Sequence, residues 1–369
     1  MHFLRTNYGK LTELWGVVVV VVSLGVIMLD TLKVYTPDFE VKDRAQVSVQ
    51  PGLVEYATGQ QREVSLFKDE LGRDVYGQKA FVNTERYNLT IQPMGAGVEL
   101  FLQTSLPKVV HEDNYTPLTN SETGQAINEI ASDLKSRGVV VNLDNCGLSR
   151  VDLFKNVIGD NDFLSYSPLF ELLQSKRQHK RDYGTTFTWS NTQREICVYD
   201  KLTEMQSRGV EIAGFTANTL RFEYRLKNSR VCKRELSVST VKELVNNLDN
   251  LAVKYKDALS KSIFSLNVDD IKIIASQELQ TEMRFYAGEY GDAWLSRFLR
   301  DYGSYHLARM AGDEVVKIVM ACVIDDRFKL YRAIRYFEQA KQGFELSTKV
   351  DNERTLADLY GELKQKVMA

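Results

Sequence analysis

The chain has 369 residues, with 47 Lys plus Arg against 49 Asp plus Glu and a net charge of −2. That length admits two domains or one large one. Near-neutrality excludes a global charge attraction to nucleic acid, so any site for a polyanion must be a local patch. Cys146, Cys197, Cys232 and Cys322 stand far apart with no CxxC, and His2, His111, His179 and His306 form no HxH, HExxH or HxxxH pattern. A disulfide framework and a zinc finger are thereby excluded, histidine-based metal chemistry has little support, and a reducing compartment fits.

Taken in chain order, the first notable segment is LWGVVVVVVSLGVIML (Leu14 to Leu29), apolar and uncharged. It falls short of the roughly 20 residues of a membrane-spanning helix, and valine runs favour strands as much as helices. Two readings stay open for residues 1–27. One is a membrane segment; the other is an extension ahead of the true domain, with Met28 as the native start. From Met28 to about Leu236 short alternating runs dominate. LTIQP, GVELFLQT, LSRVDLF, TTFTWSN, REICVYDKL and LRFEYRLKN all read as strands. Between them Ile127, Ile130, Ala131 and Leu134 recur at helical spacing in Gly124–Gly138, and Ser167–Arg177 reads as a second helix.

After Leu236 the period changes. Thr240 and Glu243 form a capping box ahead of a stripe of Val241, Leu244, Leu248, Leu251, Tyr255 and Leu259. DDRFKLYRAIRYFEQAKQG and DNERTLADLYGELKQK continue in helical style. The expected fold class is α+β: a mixed, largely antiparallel sheet with flanking helices (28–236), followed by a helical C-terminal domain (237–369).

Several strands carry charge on one face. In TLRFEYRLKN, Leu220, Phe222, Tyr224 and Leu226 point one way while Arg221, Glu223, Arg225 and Lys227 point the other. A solvated sheet face explains this; a carboxylate held between arginines that meet phosphate explains it too. In GLSRVDLFKN, Arg150 and Asp152 share a face with Leu148 and Phe154, as a half-buried polar site or an internal ion pair would. Glu99, Asp152 and Glu223 are acids on three predicted strands. On one shared face they would make an all-oxygen site for Mg²⁺ or Mn²⁺. SKRQHKR holds Lys176, Arg177, Lys180 and Arg181, either a solvated run or a contact for a phosphate backbone. If REICVYDKL is one strand, Tyr199 shares a face with Lys201. A phenol of pKa about 10 is a poor nucleophile at neutral pH unless a cation stabilises its anion.

These stretches together resemble the filamentous-phage gene II / gene X replication initiators, which are similar in turn to rolling-circle plasmid initiators. MLDTLKV resembles the opening strand of that family. VELFLQTSLPKVVHEDN resembles its V-E-(I/L)-x-x-S-P-x-K-x-x-x-x-x-N stretch, and LSRVDLFKN its S-R-(I/V)-D strand. GTTFTWSNTQREICVYDKLTEM is similar to its T-x-T-W…R…Y-x-K-x-x-E block, and LRFEYRLKN to its closing R-F-E-x-R strand. The five matches stand in order across Met28 to Lys233.

The resemblance implies a nickase that initiates rolling-circle replication. A tyrosine attacks a phosphodiester at a phage or plasmid origin, leaves a 5′-phosphotyrosine and a free 3′-OH primer, and later rejoins the strand. It assigns the nucleophile to Tyr199 and a supporting charge to Lys201. Within it, Glu99, Asp152 and Glu223 would hold a divalent cation, Mg²⁺ or Mn²⁺. Arg150, Arg221, Arg225, Lys176, Arg177, Lys180 and Arg181 would contact DNA. The location implied is the cytoplasm of a bacterial host, with host replication machinery as a further partner. Asp200 departs from a helpful environment, since it sets a second negative charge beside the nucleophile. The rival readings are a non-catalytic DNA-binding protein of the same fold and a membrane-tethered interaction protein. A tyrosine recombinase is disfavoured, because no Arg…His-x-x-Arg…Tyr set is present.

Overall fold

A computed structural model describes residues 28–55, 60–95, 97–209, 217–302, 311–348 and 354–369. The candidate membrane segment therefore lies outside the described residues, except for Met28 and Leu29, which belong to a strand. Among the described residues no helix is long and apolar enough to cross a membrane.

Ten strands form one sheet. In chain order they are β1 (Met28–Thr36), β2 (Ser48–Gln50), β3 (Lys79–Asn83), β4 (Tyr87–Met94), β5 (Gly97–Ser105), β6 (Gly147–Ile158), β7 (His179–Asp182), β8 (Thr186–Ser190), β9 (Arg194–Asp200) and β10 (Thr219–Leu226). Their order across the sheet is β7-β8-β9-β10-β6-β1-β5-β4-β3-β2. Every pairing in it is antiparallel, so the expected α+β class holds and its sheet is not mixed.

The alternation of β9 and β10 decides their faces. Ile196, Val198, Leu220, Phe222, Tyr224 and Leu226 join the apolar core, and Glu195, Cys197, Tyr199, Arg221, Glu223 and Arg225 share the other face. Strand β6 does not alternate cleanly. Its register against β1 slips between Leu148 and Arg150, so Leu148 pairs with the core residue Val34 while Arg150 pairs with Lys33. The shared face expected for Leu148 and Arg150 is thus undone by a bulge at Ser149. A second slip in β1, between Leu29 and Leu32, places Asp30 at an irregularity beside Ser105.

The helices differ in detail from the sequence expectation. The first long one runs Asn120–Ser136 behind a Thr119–Glu122 capping box. The next spans Phe163–Leu172, earlier than expected, because Asp162 caps it and Pro168 is accommodated inside. The stripe from Val241 is broken into Val241–Val245 and Leu248–Ser260.

One apolar core crosses the change of period near residue 237. It joins the sheet to Leu251, Tyr255, Leu259, Phe264 and Ile271, and then to the helix Leu356–Met368 through Leu356, Tyr360, Leu363 and Val367. Phe264 is the hinge of this packing, with its ring centroid 5.9 Å from Phe222 on the sheet and 5.7 Å from Tyr360 on the last helix. A separate cluster, including Leu279, Met283, Phe298, Val316, Met320 and Phe337, lies among the intervening helices. The long helix Val268–Tyr290 contributes to both.

Phe264 is buried against both partners, so Phe264→Ala should remove about 3–5 kcal/mol of stability. Urea unfolding followed by a sheet signal checks this. A sheet that melts unchanged would mean the helical part is an independent body.

Candidate active site

The polar side of β6, β9 and β10 is built around one buried cation. Arg221 on β10 is fully buried, and its guanidinium lies 3.9 Å from the centroid of the Phe154 ring on β6. Its Nε donates to Asn156 Oδ1 at 2.8 Å and its Nη2 donates to the carbonyl of Asn114. Its Nη1 stands 4.0 Å from both Asp30 Oδ2 and Glu223 Oε1 and has no hydrogen-bond acceptor among the described residues. Two carboxylates from different strands thus flank one guanidinium.

Glu223 is the more charged of the pair. Burial opposes its charge, but the guanidiniums of Arg225 and Arg221 and the Tyr199 hydroxyl outweigh it and hold its carboxyl below the usual range. Asp30 goes the other way: burial dominates and raises it, against Arg221 and the Ser105 hydroxyl, which donates at 2.7 Å. Arg225 clamps this cluster from above, with Nε and Nη2 on Glu223 Oε2 at 2.8 and 2.5 Å and Nη1 on Glu195 Oε1 at 2.7 Å.

Tyr199 completes the set. Its Oη donates to Glu223 Oε1 at 2.6 Å, and the ring is only 8% exposed. Burial first, then the Glu223 charge, drives its pKa well above that of a free phenol. Asp200, the feared second charge, is turned away. It caps the helix Lys201–Ser207, accepting from the Thr203 backbone N–H at 3.1 Å and from the Thr203 hydroxyl at 2.7 Å. That cap also ends β9, so Lys201 begins a helix instead of continuing Tyr199's face. Lys201 is fully buried, with Nζ on Asn114 Oδ1 at 2.8 Å and on Glu204 Oε2 at 2.6 Å, and burial pushes it down to about 8. Its ammonium lies 5.9 Å from the centre of the Tyr199 ring and is committed to partners other than the phenol oxygen.

The expected acid triad is not assembled. Asp152 and Glu223 are on paired strands, but in register each faces another residue, Asp152 opposite Arg225 and Glu223 opposite Phe154. Asp152 is held by Arg150 through three contacts of 2.7–3.1 Å. Glu99 is on β5, beyond β1 in the sheet order. Among the described residues, no group of three or more His, Cys, Asp and Glu side chains is placed to hold a metal ion.

The basic residues divide as well. Arg150, Arg221 and Arg225 hold acids, which leaves them little to offer a phosphate. Lys180 is turned onto the Glu171 carbonyl, while Lys176 and Arg177 line a separate groove with Arg194, Arg234 and Lys254. Only Arg181 of that run reaches the Tyr199 pocket, a cavity of 370 Å³ that Arg208 and Tyr183 also line.

Asp30, Asn114, Asn156 and Arg208 were not singled out from sequence. A signal existed for two of them: Asp30 interrupts an apolar strand, and Asn114 is the closing Asn of the VELFLQTSLPKVVHEDN stretch.

Residues 86–247 match the family described as the N-terminal part of the replication-associated gene II protein. No curated protein matches the chain.

Asp152 supplies a measurable consequence. Burial pushes it up to about 6 despite Arg150, whereas an unfolded Asp titrates near 3.9. A folded value above the unfolded one means that the contribution of Asp152 to stability is fully present below about pH 4 and is lost as pH rises through 6. Asp152→Asn should abolish a pH-dependent loss on the order of 3 kcal/mol across that window. Urea midpoints at a series of pH values test it, and parallel curves for the two proteins would contradict it.

Proposed function

We propose, from the premise that the chain belongs to the filamentous-phage gene II family of replication initiators, that it nicks one DNA strand with Tyr199. The family suggests a phage replication initiator. The observation that carries the nicking chemistry is the 2.6 Å hydrogen bond from Tyr199 to Glu223 at the floor of a pocket lined by arginines.

A phenol with so high a pKa is neutral at physiological pH. It can attack phosphorus only if its proton leaves as the new bond forms, and Glu223, ionised and already accepting that proton's hydrogen bond, is placed to take it. The Tyr199 oxygen bonds to phosphorus, and the bond from phosphorus to the 3′-oxygen breaks. The 3′-oxygen departs with the electron pair and gains a proton from water to become the 3′-OH. The 5′-phosphate stays on Tyr199, and attack by a 3′-OH in the reverse sense rejoins a strand. Arg181 and Arg208 supply charge for the non-bridging oxygens. Arg225 and Arg221 keep Glu223 ionised, and Lys201 with Asn114 braces the strand end that carries Tyr199. Glu99, Asp152 and Glu223 do not share a site among the described residues, so a divalent cation held by all three has no part in this step.

Tyr183 gives a second reading a footing. It lines the same pocket and is 60% exposed, so it is the more reachable phenol. It has no carboxylate partner comparable to Glu223 in the hydrogen bonds described. Nicking of supercoiled DNA carrying a phage origin, with Mg²⁺ or Mn²⁺, separates the two. Tyr199→Phe should yield neither open circles nor a covalent adduct, and Tyr183→Phe should retain both. Glu223→Gln should slow nicking about 10²–10⁴-fold. Adduct formation that survives Tyr199→Phe and disappears with Tyr183→Phe would reverse the assignment. Binding without cleavage by the unaltered chain would favour the non-catalytic alternative.

A further inference from the structure

The open face of the sheet carries two large aromatic side chains that the apolar core does not claim. Tyr35 on β1 and Phe101 on β5 are paired in register, half-buried and absent from both core clusters. Their ring centroids are 6.4 Å apart with planes 28° from parallel. The ring of Tyr35 lies down against Gly147, its register partner on β6. A Cβ at Gly147 would stand 2.6 Å from the ring, so only glycine permits this pose. Backbone therefore seats the ring from one side and Phe101 flanks it on the other, forming a built surface instead of two stray side chains.

The next row of the sheet is polar. Arg150, Lys33 and Gln103 stand in register there, and the Lys33 ammonium lies 5.8 Å from the centroid of Phe101. Together with Lys227, these side chains and the two rings line a cavity of 730 Å³. That cavity shares Glu195 and Arg225 with the pocket of Tyr199, so the two surfaces are continuous.

We propose that Tyr35 and Phe101 are a stacking platform for unpaired bases of a single DNA strand, whose backbone passes Lys33 toward Tyr199. This platform rests on the nicking reading and deepens it by naming the form of DNA that lies beside the nucleophile. Stacking needs exposed π-faces, which a duplex keeps covered, and every base has one, so the platform is tolerant of sequence. Two rings beside a cation and polar side chains suit a single strand, whose bases stack on aromatic rings while its backbone meets positive charge. Reading a duplex instead requires an element that enters a groove, and a shallow sheet face offers none.

The test is binding of the full chain to a short oligothymidylate and to an abasic strand of equal length, followed by fluorescence anisotropy. The unaltered chain should prefer the oligothymidylate. Tyr35→Ala and Phe101→Ala should each reduce its affinity by about 5- to 150-fold, with the abasic strand and the salt dependence little changed. Tyr35→Phe and Phe101→Trp should retain the preference, which guards against a fold defect in the alanine variants. Equal affinity of the unaltered chain for both strands, or an undiminished preference in both alanine variants, overturns the proposal. Nicking of supercoiled DNA is scored separately. Base-dependent binding without nicking would leave the platform standing while the Tyr199 chemistry fell, and nicking without base-dependent binding would do the reverse.

Discussion

The arrangement depends on one guanidinium. Arg221 is buried on the face of Phe154 between Asp30 and Glu223, with Nε donating to Asn156, Nη2 to Asn114, and Nη1 without an acceptor among the described residues. Burying two carboxylates so close together is unfavourable unless a cation lies between them. Removing the partner of a buried charge typically costs about 3–5 kcal/mol. The same residue ties four segments into one place: β1 through Asp30, the loop after β5 through Asn114, β6 through Asn156 and Phe154, and β10 itself. A polar cluster in the middle of a large sheet is thereby held by a single side chain whose contacts are nearly all fixed.

The chemistry follows from how that cation shares its charge. Glu223 has two arginines and remains ionised, whereas Asp30 is raised by burial. Burial first, and then the charge of an ionised Glu223, raise the pKa of Tyr199, whose hydroxyl Glu223 holds as a neutral donor. The electrostatics therefore work against a phenolate, and under the nicking chemistry proposed for Tyr199 the proton would pass to Glu223 during attack. Lys201, two residues downstream, acts through position instead of charge: its ammonium is spent on Asn114 and Glu204 at the start of the helix that closes β9.

Much of this was legible in the sequence where local period was the only thing required. The strict alternation of Leu220–Leu226 places Glu223 and Arg225 on one face of their strand, and the β-type run at Arg194–Asp200 places Tyr199 with Glu195 and Cys197 on one face of its own; the pairing of the two strands makes these faces one. What stayed hidden required knowledge of neighbours. Whether Glu99 meets Glu223 depends on strand order, and β6 and β1 intervene. The bulge at Ser149 inverts the parity that would have put Leu148 beside Arg150. Lys201 leaves Tyr199's face because Asp200 serves as a helix cap, a choice the residues DKLTE allow but do not force. The last strand ends at Leu226 and a helix already spans Ser229–Leu236, ahead of the change of period expected near 237, and Phe264 and Tyr360 carry one core across that point, since apolar stripes show that helices bury a face and not which surface receives it.

The central claim is that a neutral phenol passes its proton to Glu223 as it attacks phosphorus. The dependence of single-turnover adduct formation on pH, from about 6 to 7.5 and so below the titration of Lys201 near 8, tests it most directly. Proton transfer to Glu223 predicts a rate that is nearly level across this range, because Glu223 is ionised and Tyr199 protonated throughout. A rate that climbs about tenfold with each pH unit would show that the reactive species is a phenolate, and would contradict it.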